Sequence, residues 1–122
     1  MLKNLFYIFI GGGIGSVFRF LVSNYTQKLW NISVFPMGTF VVNISGCFLI
    51  GIFLAYFLKE DNNALKYLLI TGICGGYTTF SAFSAENFSL FQSGNYFILI
   101  AYSLLSLIIG LIAVFIGIHM IR

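Results

Sequence analysis

Charged side chains are scarce in this sequence. They make up 7% of its 122 residues, whereas hydrophobic residues make up 60% and the mean hydropathy is +1.02. A soluble domain of this composition could not cover its surface with polar groups, so the sequence indicates an integral membrane protein. A net charge of +3 that rests on so few residues does not indicate a nucleic-acid-binding surface.

Chemically reactive side chains are also few. The acidic residues are Glu60, Asp61 and Glu86, and there is one histidine. Without a carboxylate pair, a nucleophile–base pair or a phosphate-binding loop, the chain is not expected to be an enzyme. Cys47 and Cys74 lie inside apolar runs and have no metal-ligand partner at a useful spacing, which is typical of buried free thiols.

Four apolar segments predict an all-α membrane domain, a single four-span unit over residues 1–122. A spanning helix needs about 20 residues, and the spans are expected at about 2–25, 35–58, 64–90 and 96–120. Four packed helices leave little interior, so an oligomer, most simply a dimer, is expected. Basic residues favour cytoplasmic termini only weakly, which is compatible with insertion in both orientations.

Small residues line the first and fourth spans. Gly11 and Gly15 form a GxxxG pair, which allows close helix approach in lipid. A stripe of one small residue per turn along the fourth span predicts tight packing: Ser103, Ser106, Gly110, Ala113 and Gly117. Arg19, inside the first apolar run, has two interpretations. It snorkels from a helix end, or it attracts anions at the mouth of a water-filled path.

The second span carries an amide that needs a partner. Thr39, Asn43 and Gly46 fall on one helical face. An amide in a span either pairs with a neighbouring helix or lines a wet path, and both interpretations of Asn43 are open.

The third span contains a loop-like stretch, residues 72–83, with three glycines, two threonines and a serine. Glycine and threonine weaken helices, so we expect a helix that breaks near Gly75, at about the membrane midplane, and restarts near Phe80. Backbone groups freed in lipid must be buried or line a cavity, where they can hold an ion. The alternative is a glycine-rich helix that only packs closely.

Several groups could converge on one path: the Asn43 amide, the Phe80 and Phe83 rings, and the hydroxyls of Thr79 and Ser81. Ring edges carry partial positive charge, and amide and hydroxyl donors can replace part of an anion's hydration shell. This combination predicts a weakly polar anion path. In the fourth span, Tyr102 lies one residue off the small stripe and can lean toward the same interior.

Three motifs, residues 11–20, 38–46 and 72–83, together resemble the Fluc-type bacterial fluoride channels, also called CrcB-like proteins. The resemblance extends over the whole chain. It implies a passive fluoride-selective channel that exports fluoride across the bacterial inner membrane and relieves fluoride toxicity. It also implies an antiparallel, dual-topology homodimer in the lipid bilayer with two pores, and a structural sodium ion at the dimer interface, held by the backbone carbonyls of Gly75 and Thr78.

The resemblance also implies roles for individual side chains. Phe80 and Phe83 would supply the rings beside the ions, and Asn43 would donate to fluoride. Ser81 matches a serine of the polar track along the pore, and Glu86 matches an acidic position near a pore end.

Two other functions compete with this one. A proton-coupled exporter similar to the small multidrug resistance family has the same size and span number, but it needs a carboxylate in the first span, where this chain has Arg19. A structural subunit without transport would explain the small-residue stripe and leave Asn43 unexplained.

Overall fold

The computed structural model describes residues 1–30 and 34–121. Within them, four helical segments are long and apolar enough to cross a membrane, which confirms the all-α, four-span prediction. The third segment, Asn63–Gln92, consists of several pieces. The elements are α1 (Leu2–Leu29), α2 (Met37–Lys59), α3 (Asn63–Lys66), a π-helix (Tyr67–Cys74), α4 (Gly75–Tyr77), α5 (Phe80–Gln92) and α6 (Tyr96–Ile121).

The start of α2 is fixed by α1. Pro36 precedes the first helical residue and accepts a hydrogen bond from the Phe40 N–H at 3.1 Å, a position that suits proline because its fixed φ fits a helix start. The N–H of Gly38, which has no partner within the helix, donates to the Gln27 side chain at 3.1 Å. A side chain of α1 therefore caps α2.

The third span packs against α1 through backbone-to-backbone contacts at glycines. A Cβ on Gly15 would overlap the carbonyl oxygen of Ile73, and a Cβ on Gly76 would overlap that of Gly12. Such close approach is what small residues permit between helices in lipid. The GxxxG pair of the first span thus contacts the third span of the same chain.

The small stripe of α6 packs on α2. A Cβ on Gly117 would overlap the Phe48 carbonyl oxygen, and one on Gly51 would overlap that of Val114. Toward the other end of α6, Ser103 and Ser106 line a cavity together with residues of α2. The stripe is therefore a packing seam at one end and a polar wall at the other.

The break was expected near Gly75 with a restart near Phe80; the next helix does begin at Phe80, but the backbone leaves the helix at Thr78 and Thr79. Gly75 is helical, with φ −63° and ψ −36°, and its N–H reaches the Ile70 carbonyl five residues back. The extended residues are Thr78 (φ −81°, ψ 156°) and Thr79 (φ −148°, ψ 123°). The neighbouring glycines Gly72 and Gly76 serve close packing on α1, so their abundance does not mark where the backbone leaves the helix.

Beyond this interruption, α5 begins at Phe80 and packs mainly against α6. Its outward side exposes large aromatic side chains, among them Phe80 (79% exposed), Phe88 and Phe91. The α5–α6 turn closes at Gly94, whose φ of 80° lies in the region that glycine adopts without strain. The interruption therefore lies between a packed half and an exposed half of one span.

Candidate functional site

Asn43 holds the interruption by bonding both backbone polar groups of one residue, Thr79. Its Oδ1 accepts from the Thr79 N–H at 3.0 Å, and its Nδ2 donates to the Thr79 carbonyl at 3.1 Å. The amide replaces the helical partners that the extended backbone of Thr79 has lost. The interhelical interpretation of Asn43 is therefore correct, and because an amide nitrogen carries two hydrogens, one donor remains beyond this pair.

Arg19 points into the protein. Its Nε donates to the Gly76 carbonyl at 3.2 Å, close to the C-terminal end of α4, where a cation is favourable. The same side chain lines a cavity. Arg19 thus bonds the interruption and also presents its charge to that cavity.

Glu86 accepts two hydroxyl hydrogen bonds from different helices. The Thr39 Oγ1 donates to one carboxylate oxygen at 2.7 Å, and the Tyr102 hydroxyl donates to the other at 2.9 Å. Tyr102 is fully buried, at 0% exposure. The carboxylate of α5 is thereby tied to α2 and α6, which gives α5 polar anchors where its apolar packing is sparse.

Three aromatic rings follow one another toward this carboxylate. The Phe80 and Phe83 ring centroids are 6.0 Å apart, and those of Phe83 and Tyr102 are 5.0 Å apart. Both pairs are tilted, a geometry that leaves ring edges, where partial positive charge resides, available to a neighbour.

A cavity of about 600 Å³ opens beside Arg19. Its lining combines the cation with neutral donors and with Glu86, and a solvated anion could enter such a polar vestibule. The polar side chains around it are Arg19, Ser23, Asn24, Gln27, Thr39, Thr79 and Glu86.

A second cavity, of about 560 Å³, also lies beside the interruption. Its wall brings Asn43, Thr78 and Thr79 together with the Phe80 and Phe83 rings. Ser103 and Ser106 of α6 complete it. Thr79 thus lines both cavities, whereas Asn43 lines the second one.

The remaining predicted residues lie around this clamp. The hydroxyls of Thr79 and Ser81 are 3.2 Å apart, and Thr79 Oγ1 accepts from the Ala82 N–H at 3.1 Å as the N-cap of α5. The Thr79 hydroxyl is therefore partly engaged in capping. Thr78 Oγ1 donates to the Cys74 carbonyl at 2.9 Å, and Gly75 is exposed on the outer side of its helix.

Sequence reasoning missed two members of the site. Thr39 was noted only as sharing a face with Asn43, yet it bonds Glu86. Ser106 was counted as a packing residue, yet its buried Oγ has no hydrogen-bond partner among the described residues. The available signal was that Glu86, an acid within an apolar span, needs donors, and that a hydroxyl lies on each neighbouring helix.

Comparison with known sequences assigns the family. The family model described as CrcB-like protein, Camphor Resistance (CrcB), matches residues 6–118. The chain belongs to the CrcB family.

Curated relatives agree with this assignment over nearly the full length. A fluoride-specific ion channel FluC from Azobacteroides pseudotrichonymphae is 50% identical over 119 residues, covering 96% of this chain and 94% of the relative. The proteins of the same name from Flavobacterium psychrophilum and Aquifex aeolicus are 49% and 44% identical, and each covers over nine tenths of both chains. With four membrane-spanning segments, this CrcB protein is a multi-pass bacterial membrane protein.

Proposed function

We propose that the chain is a passive fluoride-selective channel that exports fluoride across the bacterial inner membrane and so relieves fluoride toxicity. The observation that carries the proposal is the cavity where the Asn43 amide, the Phe80 and Phe83 rings and the free Ser106 hydroxyl meet. Relatives at 50% and 49% identity bear the name of fluoride-specific channels. No carboxylate lines this cavity, so it offers no acid that could couple transport to protons.

Donors and ring edges suit fluoride in this path. The second Nδ2 hydrogen of Asn43 and the hydroxyls of Ser81 and Ser106 can replace water around a small anion, while ring edges attract it only weakly. Entry and exit both stay fast when no single site binds too tightly. Arg19, at the polar vestibule, raises the local anion concentration, and Glu86, bonded to Tyr102, lines the same vestibule.

The working unit in this proposal is an antiparallel homodimer with two pores. The support is the exposed side of the third span: Gly75 is exposed, Phe80 is 79% exposed, and α5 has little packing besides α6. A partner seated there would close the second cavity into a pore. The weak charge bias of the chain is compatible with both orientations.

A structural sodium ion fits the interruption near the membrane midplane. The Thr79 N–H that would bond the Gly75 carbonyl in a continuous helix donates to Asn43 instead, and the extended backbone at Thr78 turns its carbonyl out of the helical pattern. Carbonyl oxygens are suitable ligands for a hard cation. Gly75 and Thr78 from two subunits would supply four such oxygens, and the ion would join the subunits at a point away from either pore.

The decisive experiment is anion efflux from liposomes that contain the purified protein. We expect fluoride efflux without an imposed proton gradient and no chloride efflux above that of protein-free liposomes. Strict dependence on a proton gradient would instead indicate the exporter similar to the small multidrug resistance family, an alternative that the comparisons do not support.

The sodium ion has its own test. Replacing all sodium by a large organic cation should lower fluoride efflux and the dimer fraction together, while the driving force for fluoride stays the same. Potassium serves as the matched control, since it is monovalent and larger than sodium. Equal efflux and an equal dimer fraction in all three cations would remove sodium from the proposal and leave the channel intact.

A further inference from the structure

Helix α2 contacts the interruption at a second place, through a pair of hydroxyls. The Tyr77 hydroxyl lies 2.8 Å from Ser45 Oγ. Tyr77 is the last residue of α4 and is only 7% exposed, and its ring passes beside Gly46, where a Cβ would lie 3.3 Å from the ring. The residue immediately before the extended backbone is therefore bonded to α2 as well.

The direction of this hydrogen bond follows from counting donors. Ser45 has one hydroxyl hydrogen, and its Oγ lies 2.7 Å from the Val41 carbonyl and 3.1 Å from that of Val42. These carbonyls can only accept, so the serine hydrogen goes to them. The Tyr77 hydroxyl then donates to Ser45 Oγ, which makes a chain from α4 through Ser45 to the backbone of α2.

The three residues of the interruption are thus fixed one after another. Tyr77 is bonded to Ser45, Thr78 places its methyl where Gly46 has no side chain, and Thr79 is clamped by Asn43. A buried hydroxyl without a partner is unfavourable, and a phenylalanine would fill the same space without that need. The hydroxyl therefore fixes the orientation of the ring, which apolar packing alone would not do.

We propose that the Tyr77–Ser45 pair is a positioning latch: it fixes the orientation of α4 relative to α2 and so positions Thr78 and Thr79 beside Asn43. Its effect on fluoride flux rests on the proposed function, but its effect on the backbone does not. Without the latch the ring can shift, the Thr78 carbonyl changes direction and the Thr79 N–H separates more often from Asn43. The latch touches neither the polar vestibule nor the second cavity, whose linings include neither residue.

Hydrogen–deuterium exchange of the Thr79 amide in the purified, full-length protein tests the latch directly. Tyr77→Phe and Ser45→Ala each remove one hydroxyl, and we expect each to speed this exchange about five-fold, the factor typical of losing one hydrogen bond. The double variant should be no faster than either single variant, because both break the same bond. Ser45→Thr keeps the hydroxyl, and the open apolar groove beside Ser45 has room for a methyl, so it should exchange like the unchanged protein.

Tyr56→Phe is the matched control, since Tyr56 contacts Phe57 edge to face at the far end of α2. Equal exchange in Tyr77→Phe and Tyr56→Phe, or additive effects in the double variant, would overturn the latch. Fluoride efflux from the same preparations separates this outcome from the proposed function. If exchange responds as expected and even the unchanged protein conducts no fluoride, the latch stands and the channel proposal fails. If the unchanged protein conducts and exchange does not respond, only the latch fails.

Discussion

The two halves of the third span are held by different means. Before the interruption, the helix lies directly on α1, with glycines that leave no room for a single additional carbon. After it, α5 packs mainly on α6 and exposes its phenylalanines, while the Thr39 and Tyr102 hydroxyls bind its Glu86. The first half is completed within the subunit, whereas the second half has its polar anchors there and leaves its apolar side for a neighbour. One end of a span can therefore pack within its own subunit while the other end is available to contact a second subunit.

The largest effect, a loss of folded protein, is expected when side-chain atoms are added at the glycine contact of the first half. Gly15→Val places carbon atoms on the Ile73 carbonyl, and because neither backbone can move away, overpacking should cost about 1–3 kcal/mol or more and leave little folded protein. Yield and monodispersity on size-exclusion chromatography measure this. Gly13→Val is the control, since a Cβ there meets nothing within 4 Å. Similar yields for both variants would show that the glycine contact is not tight.

The next effect is expected at the clamp between the halves. Asn43→Asp can still accept from the Thr79 N–H but can no longer donate to its carbonyl. A buried group left without its partner costs about 1–3 kcal/mol, and the new charge repels anions, so fluoride efflux should fall by about 100-fold. Asn43→Ala removes the clamp without adding charge, so its fluoride efflux should fall less than that of Asn43→Asp. Normal efflux in both variants would exclude Asn43 from the path.

In the second half, the rings are expected to matter for flux and not for folding. Phe83→Ile removes the ring that lies between Phe80 and Tyr102 and should lower fluoride efflux about tenfold, the result of a barrier raised by about 1.4 kcal/mol. The size-exclusion profile should not change. Phe88→Ile, an exposed position on the same helix, is the control. If the two variants conduct equally, the Phe83 ring is a packing residue.

Arg19 reaches the end of the first half, and two substitutions separate its roles. Because Nε donates to the Gly76 carbonyl, Arg19→Gln and Arg19→Lys should both lower efflux by about two- to tenfold, as for one lost hydrogen bond. If attraction of anions dominates, the efflux of Arg19→Lys will instead match that of the unchanged protein, and only Arg19→Gln will show lower efflux. Efflux at low and high ionic strength distinguishes these outcomes, since salt screens attraction.

The smallest effect on the subunit is expected at Gly75. A Cβ there meets only the Ile70 carbonyl at 3.8 Å, and alanine in a helix is favoured over glycine by about 0.5–1 kcal/mol, so Gly75→Ala should leave the thermal stability of the subunit equal or slightly higher. The proposed partner would meet the new methyl. A lower dimer fraction in cross-linking is the expected result, and an unchanged fraction would place Gly75 away from the interface.

The four-span architecture could be predicted from the sequence, whereas the location of the interruption was predicted poorly. Four apolar segments predicted the four spans, and the Asn43 amide had to find a partner. The glycines left two interpretations open, a break or close packing, because a residue that weakens a helix also permits close helix contact in lipid, and Gly72 and Gly76 serve close packing. The backbone leaves the helix at Thr78 and Thr79, where β-branched residues lose little in an extended conformation and Asn43 satisfies the freed groups.

The meeting of Thr39, Glu86 and Tyr102 was beyond sequence reasoning for another reason. Each residue has an ordinary position in its own span, and only the packing of α2, α5 and α6 brings the three together. An acid in an apolar span predicts that hydrogen-bond donors lie near it, but the sequence does not identify which of the many hydroxyls they are. Ser106 Oγ and Asn87 Oδ1, which are buried without a hydrogen-bond partner among residues 1–30 and 34–121, could likewise be found only in three dimensions.

The π-helix from Tyr67 to Cys74 has a consequence for how the length of this span can change. A π-turn holds one more residue than an α-turn, and such turns are rare and concentrate at functional sites. Deleting one residue here would let the helix relax to the α form with the residues after it near their present direction, whereas deleting one residue from an α-turn would rotate everything after it by about 100° and turn Thr79 away from Asn43. This segment is therefore the place where the span can lose one residue while its two halves stay in phase.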